Sequence, residues 1–113
     1  MDRKKNTRLR DRVRKAPSPI HGSGCFARVD FAAGELIGRY EGPEVTRNGT
    51  YVLWVYEEGR APVGRSGRNL LRYLNHKKGG NAEFDGFSLY ARRDIVCGEE
   101  ITFDYNSGYN PDG

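Results

Sequence analysis

The chain has 113 residues, enough for one domain with a single hydrophobic core. Its composition, 36% hydrophobic and 12% aromatic with 15 glycines, favours a turn-rich β protein over a helical bundle. The charged N-terminus argues against a signal peptide, and no apolar run reaches the roughly 18 residues that would span a membrane. We therefore expect an intracellular protein (cytoplasm, nucleoid or nucleus) without membrane contact.

The N-terminal residues are strongly basic. Residues 1–15 contain eight Lys or Arg against two Asp, a net charge of +6, so residues 16–113 carry −2 within the total of +4. We expect residues 1–11 to form a flexible basic arm and residues 12–113 to form the folded domain. Residues 1–15 are candidates for nucleic-acid contact, although a merely solvated leader explains their charge equally well. The slightly acidic residues 16–113 would attract a cationic peptide.

Short strands separated by turns are predicted along the chain. Four segments are β-branched and aromatic or alternate in polarity: 36–40, 51–56, 87–91 and 101–105. Glycine and proline punctuate the sequence between them. The one segment that reads as helical, for a turn or two, is 69–74, which Asn69 is able to cap. The pattern is that of a β protein.

Metal binding is not expected. Cys25 and Cys97 are too few for a disulfide framework, and their spacing matches no zinc site. With His21 and His76 they could in principle form a Cys2His2 set. Two buried, reduced thiols are the better explanation of the sequence.

Residues 22–27 fit the dinucleotide-binding pattern Gly-x-Gly-x-x-Gly/Ala. That pattern requires a strand before it and a helix after it. Pro17 and Pro19 precede the segment, Gly34 and Gly38 would interrupt a following helix, and 113 residues leave no space for a doubly wound sheet. A nucleotide-dependent oxidoreductase is therefore disfavoured. The two glycines more plausibly let the backbone pass close to a ligand.

Four blocks of the chain together carry a family resemblance. They cover residues 18–27, 34–42, 69–76 and 98–105. The last two read Asn-Leu-Leu-Arg-Tyr-Leu-Asn-His and Gly-Glu-Glu-Ile-Thr-Phe-Asp-Tyr, and they resemble the two signature blocks of the SET-domain protein-lysine methyltransferases. The resemblance extends over about 95 residues. It implies transfer of a methyl group from S-adenosyl-L-methionine to a lysine of a protein substrate, such as a histone or another basic protein.

The fold that the resemblance implies is mainly β. It is the SET fold, built of small curved sheets of short strands, with the C-terminal segment threaded under a preceding loop as a pseudoknot. Asn75 and His76 should then lie beside Asp104 and Tyr105 and build the active site with them.

The resemblance also assigns the catalytic tyrosines. Tyr105 matches the active-site tyrosine of the family, and Tyr40 matches a second hydroxyl-bearing tyrosine, although an ordinary strand aromatic remains an alternative for Tyr40. Phe103 and Phe84 are candidates for the substrate channel. Phe103 lies two residues before Tyr105, where relatives alternate between Tyr and Phe, and a phenylalanine there implies di- and possibly trimethylation.

Cofactor-binding residues follow from the same blocks. They are Gly22, Ser23, Gly24 and Cys25 through their backbone, and Tyr51, Arg72, Asn75, His76 and Tyr109. Tyr109 would stack on the adenine, unless it is an isolated terminal tyrosine. Arg72 would lie near the cofactor or pair with Glu99, Glu100 or Asp104.

The chain also departs from the family pattern. After His76 it reads Lys77-Lys-Gly-Gly-Asn81, without the usual serine, cysteine and proline, which predicts a more flexible and more basic loop. The segment between Tyr51 and Asn69 is short. A minimal domain of the viral or bacterial type is therefore expected, and a second copy of the chain could complete its substrate groove. The alternative function is a catalytically weak SET-like module that binds protein or nucleic acid through the basic arm.

Overall fold

The computed structural model describes residues 8–104 of the chain. In chain order its elements are α1 (Leu9–Arg12), β1 (Val13–Pro17), β2 (Ser23–Ala27), β3 (Leu36–Arg39), β4 (Glu44–Val45), β5 (Val52–Val55), β6 (Val63–Ser66), a 3₁₀ helix (Leu70–Tyr73), β7 (Asn75–His76), β8 (Ala82–Asp85), β9 (Ser88–Ala91) and β10 (Glu100–Phe103). The described chain is mainly β, as the composition predicts.

Two curved sheets make up the fold. The larger has seven strands in the order β1-β2-β10-β8-β9-β3, with β7 also paired to β10. Strand β10 is antiparallel to β2 but parallel to β7 and β8. The smaller sheet is antiparallel, in the order β4-β6-β5. Strand β10 is thus enclosed on both edges, which suits its buried residues Ile101 and Thr102.

The four predicted strands are present as β3, β5, β9 and β10, each shorter than predicted. The predicted helical turn is the 3₁₀ helix. Asn69 precedes it but makes no side-chain cap. Its Nδ2 instead donates to the carbonyl oxygen of Arg39 at 2.7 Å, which ties the helix to the end of β3. The other six described strands were not predicted: β4 and β7 have two residues each, β2 and β6 contain a glycine, and β1 ends in a proline. The sequence of β8, Ala-Glu-Phe-Asp, does alternate, but over only four residues.

One hydrophobic core joins the elements. Its buried members are Val13, Cys25, Ala27, Phe31, Ile37, Tyr40, Leu53, Leu71, Ala82, Leu89, Ala91, Ile95 and Ile101. They come from both sheets and the 3₁₀ helix. Gly38 lets Leu9 of α1 reach this core, because a Cβ at Gly38 would lie 2.8 Å from Cδ1 of Leu9. Part of the segment assigned to the arm, residues 8–11, is therefore in contact with the folded domain.

The loop of residues 77–81 lies against the last described residues. The Lys77 amide donates to the Phe103 carbonyl at 3.0 Å, and the Gly79 amide donates to Oδ2 of Asp104 at 3.0 Å. The buried Asn81 side chain accepts from the Thr102 amide at 2.9 Å. These bonds connect the loop to β10 and to Asp104, and its flexibility stays a prediction. The pseudoknot threading involves residues beyond 104 and stays a prediction.

None of the helices found between residues 8 and 104 is both long and apolar enough to cross a membrane.

Candidate active site

The two signature blocks meet in space. Strands β7 and β10 pair in parallel, with Asn75 opposite Thr102 and His76 opposite Phe103. Residues about 27 positions apart in the sequence therefore become neighbours, as the family resemblance implies. Tyr105 and Tyr109 lie outside the described residues, but Asp104, which immediately precedes Tyr105, is at the end of this pair of strands.

A small aromatic cavity of about 120 Å³ opens beside these strands. It is lined by Tyr40, Thr50, Tyr51, Val52, Leu53, Leu71, Arg72, Leu74, Phe84 and Phe103. Phe84 forms edge-to-face contacts with Tyr40 and Phe103, with ring centroids 5.9 and 5.4 Å apart. Both predicted channel residues thus lie in one wall. Such a wall excludes water and suits an aliphatic chain.

Tyr40 contributes a polar atom to this otherwise apolar wall. Its ring is buried, and its hydroxyl donates to the Tyr51 carbonyl oxygen at 2.5 Å. Gly67 packs on the same hydroxyl so closely that a Cβ there would overlap it. Burial raises the pKa of Tyr40 to about 12, so the hydroxyl stays protonated near neutral pH. Because its proton is donated to Tyr51, the Tyr40 oxygen can bind a further group only as an acceptor.

A cationic and aromatic cluster borders the cavity. The Arg72 guanidinium lies over the rings of Tyr51 and Tyr73, 5.6 and 4.9 Å from their centroids, and Nη2 donates to the Tyr73 hydroxyl at 2.7 Å. That bond lowers the pKa of Tyr73. The Lys15 ammonium also lies over the Tyr73 ring, 4.7 Å from its centroid. Nε of Arg72 is buried and has no hydrogen-bond partner among residues 8–104.

The Asn75 side chain is held by a polar network. Its Nδ2 donates to three acceptors at 3.0–3.1 Å, which are the carbonyl oxygens of His21 and Ser23 and Oε2 of Glu100. The Ser18 hydroxyl lies 2.8–2.9 Å from both Glu100 oxygens. Sequence reasoning considered Glu100 only as a partner for Arg72. The structure binds it to Ser18 and Asn75 instead.

The predicted glycines have different roles. Gly22 has a φ of +46° at the turn between β1 and β2, a conformation that favours glycine. Gly24 has ordinary geometry, but a Cβ there would overlap Oε2 of Glu100. The interpretation that both glycines serve a ligand directly is therefore incomplete, because Gly24 first makes space for a carboxylate. The intervening Ser23 contributes its carbonyl oxygen to Asn75.

Cys25 and His76 complete the predicted residues that the structure describes. The Cys25 thiol is fully buried, and burial, with a smaller contribution from the Glu100 charge, raises its pKa to about 12. It is a neutral core residue whose backbone alone is available to a ligand. The expectation of two buried thiols is wrong for Cys97, which is exposed. His76 is exposed and its ring meets Phe103 edge-to-face at 6.1 Å. In the part of the chain described, no cluster of three or more His, Cys, Asp or Glu could hold a metal ion.

Ser18, Gly67 and Glu100 are among the site residues that sequence reasoning did not assign, as are Lys15 and Tyr73. For Glu100 the sequence offered a clue, because this charged residue begins β10, a predicted strand that lies inside the large sheet. Ser18 and Gly67 had none, because their contacts are with residues 82 and 27 positions away.

Comparison with known proteins identifies the family. The SET domain family model matches residues 22–106. A histone-lysine N-methyltransferase, H3 lysine-4 specific, of Emericella nidulans is 30% identical over 115 residues, which cover 82% of this chain and 9% of that protein. The chain thus spans about a tenth of this curated relative.

Solved structures agree on the fold. The methyltransferase domain of human PR domain-containing protein 2 superposes with a TM-score of 0.68 at 22% identity, covering 91% of this chain and 82% of that one. A proposed histone methyltransferase of Plasmodium falciparum gives 0.66 at 17% identity, covering 87% and 96%. The sequence blocks, the pairing of β7 with β10 and these matches lead to one conclusion: the chain belongs to the SET-domain family.

Proposed function

We propose that the chain is an S-adenosyl-L-methionine-dependent protein-lysine N-methyltransferase. The observation that carries this proposal is the aromatic cavity, because residues expected in the lysine channel and residues expected at the cofactor line the same space. Tyr40, Phe84 and Phe103 supply the first group, and Tyr51 and Arg72 supply the second. A substrate amine and a cofactor would therefore meet there.

The described residues fit the cofactor in their chemistry. Its amino-acid end carries an ammonium and a carboxylate. The Asn75 amide has its nitrogen bound to three acceptors, which leaves its oxygen to accept from an ammonium. Arg72 and Lys15 provide positive charge for a carboxylate, and Nε of Arg72 is an unused buried donor within residues 8–104. His76 would serve through its backbone, and Tyr109 is proposed to stack on the adenine.

The cofactor, when bound, supplies a methyl group on a sulfonium centre that a neutral amine can accept in an in-line displacement. The chain provides the conditions for that reaction. The apolar wall of Phe84, Phe103 and Leu71 desolvates an entering lysine and so favours its neutral form. The Tyr40 oxygen accepts a hydrogen bond from the amine and aligns it. Tyr105 is proposed to provide a second oxygen.

The substrate is proposed to be a basic protein segment. The acidic balance of residues 16–113 favours a cationic peptide, and the fungal relative is named for a histone lysine. Phe103 in the channel wall supports di- or trimethylation as the product. We propose an intracellular location, because the fungal relative is named for a histone lysine. Nucleic-acid contact by residues 1–15 and a homodimer stay predictions.

Two measurements test the function. S-Adenosylhomocysteine should raise the thermal midpoint of the purified chain, because a ligand that binds only the folded state stabilises it. Mass spectrometry of a lysate treated with enzyme and methyl-labelled cofactor should then find methylated lysines. Tyr105→Phe should retain the midpoint shift and lose most of the labelling.

The same experiment separates the enzyme from the alternative binding module. A module of that kind would show neither the midpoint shift nor the label. A wild-type protein that binds S-adenosylhomocysteine but labels no lysine would contradict the proposed reaction while leaving the cofactor site in place.

A further inference from the structure

The Asn75 amide has two possible orientations that differ by exchange of its nitrogen and oxygen. In one, Nδ2 faces the carbonyl oxygens of His21 and Ser23 and Oε2 of Glu100, and all three atoms accept. In the other, the amide oxygen would face the same three oxygens and would be repelled by each. The charged Glu100 carboxylate contributes most to this difference, because hydrogen bonds to ionised groups are stronger than neutral ones.

Glu100 is itself held in place. The Ser18 hydroxyl donates to its carboxylate, and that hydroxyl in turn accepts from the Ile20 amide at 3.0 Å. Gly24 packs against Oε2 with no space for a side chain of its own. The carboxylate is therefore fixed from the turn between β1 and β2 on one side and from β7 on the other.

We propose that Glu100, held by Ser18, is a positioning residue that orients the Asn75 side chain so that its amide oxygen accepts from the ammonium group of the cofactor. This inference rests on the proposed function. It assigns no contact between Glu100 and the reacting atoms. Its effect should be confined to the amino-acid end of the ligand, since Asn75 is the group through which Glu100 acts.

Glu100→Gln is the direct test. Gln removes the negative charge and can present either its oxygen or its NH₂ group to Asn75, so it selects one orientation of the Asn75 amide much less strongly than the carboxylate does. The matched control is Glu99→Gln, the same change one residue away, where Oε1 accepts from the Val96 amide instead. The probes are S-adenosylhomocysteine and 5′-methylthioadenosine, which lacks the amino-acid end. Calorimetry or fluorescence gives the Kd of each.

For S-adenosylhomocysteine we expect the Kd of Glu100→Gln to rise by about fivefold to tenfold, the difference between a hydrogen bond to a charged group and one to a neutral group. The Kd for 5′-methylthioadenosine should not change, and Glu99→Gln should match wild type for both ligands. An equal loss for both ligands would mean that Glu100 merely supports the fold, and this would overturn the proposal.

A double-mutant cycle with Asn75→Ala tests the route of the effect. If Glu100 acts through Asn75, Glu100→Gln should add no further loss for S-adenosylhomocysteine in the Asn75→Ala background. If instead the fold-increases in Kd of the two single variants multiplied in the double variant, Glu100 would not act through Asn75. If Glu100→Gln does not fold, Ser18→Ala takes its place in both comparisons with a smaller expected loss of about threefold. A wild-type chain that binds no S-adenosylhomocysteine would instead defeat the proposed function itself.

Discussion

The hydroxyl of Tyr40 donates a hydrogen bond to the backbone carbonyl oxygen of Tyr51 at 2.5 Å. Tyr40 follows β3 of the large sheet, and Tyr51 precedes β5 of the small sheet. The bond therefore connects the two sheets at the wall of the aromatic cavity. This hydrogen bond uses the hydroxyl proton of Tyr40. The Tyr40 oxygen can therefore accept a hydrogen bond from a substrate amine but cannot donate one to it.

Tyr40→Phe should reduce kcat by about tenfold or more, because one acceptor for the amine is lost, and should leave the Kd of S-adenosylhomocysteine within about twofold. The phenyl ring keeps its contact with Phe84. Tyr90→Phe on β9 is the matched control, since Tyr90 does not line the cavity. Steady-state kinetics on an accepted peptide provide the measurement. A fully active Tyr40→Phe would show that Tyr40 is an ordinary strand aromatic.

Gly67→Ala should also lower turnover, although Gly67 lines no part of the cavity. Its new methyl group would overlap the Tyr40 hydroxyl and force the ring away from Tyr51. Gly49→Ala is the control, because a Cβ there would lie 3.4 Å from Cγ2 of Val52, an ordinary contact. We expect a loss of kcat together with a lower thermal midpoint for Gly67→Ala only. Unchanged kinetics would contradict the packing described for Tyr40.

Phe103→Tyr should shift the product toward monomethyllysine. Phe103 lies in the cavity wall against Phe84, and an added hydroxyl there could hold a water in the space that a further methyl group needs. Phe87→Tyr is the control, because the Phe87 ring instead stacks under Arg65, 4.5 Å from its guanidinium carbon. Mass spectrometry of one peptide with each variant gives the product distribution. Wild-type enzyme that makes monomethyllysine alone would reject the assignment of Phe103.

Leu9→Ala should destabilise the domain by about 1–2 kcal/mol, less than a fully buried leucine because Leu9 is only partly buried. Its side chain packs on Gly38. Leu36→Ala is the control, since Leu36 is 41% exposed and should change stability by less than about 0.5 kcal/mol. Urea unfolding of both variants measures the difference. Equal stability of Leu9→Ala and wild type would place all of residues 1–11 in the arm.

Much of the fold class was predictable because it depends on local patterns and recognisable blocks. Alternation and β-branched residues predicted β3, β5, β9 and β10, while the two-residue β4 and β7 have too little pattern to find. The pairing of Asn75 with Thr102 was expected only through the family resemblance. No periodicity in the sequence contains it.

The sequence by itself, through its family resemblance, determined which side chains are proposed to serve methyl transfer: the hydroxyl of Tyr40, the amide of Asn75, and the rings of Phe84 and Phe103. Only the tertiary structure decided how those groups are oriented. The Tyr40 hydroxyl donates its proton to the Tyr51 carbonyl oxygen, and the Asn75 amide nitrogen donates to Glu100, 25 residues away. Hydrogen-bond direction depends on atoms that distant segments bring within about 3 Å, and a linear sequence does not encode that proximity in any local pattern.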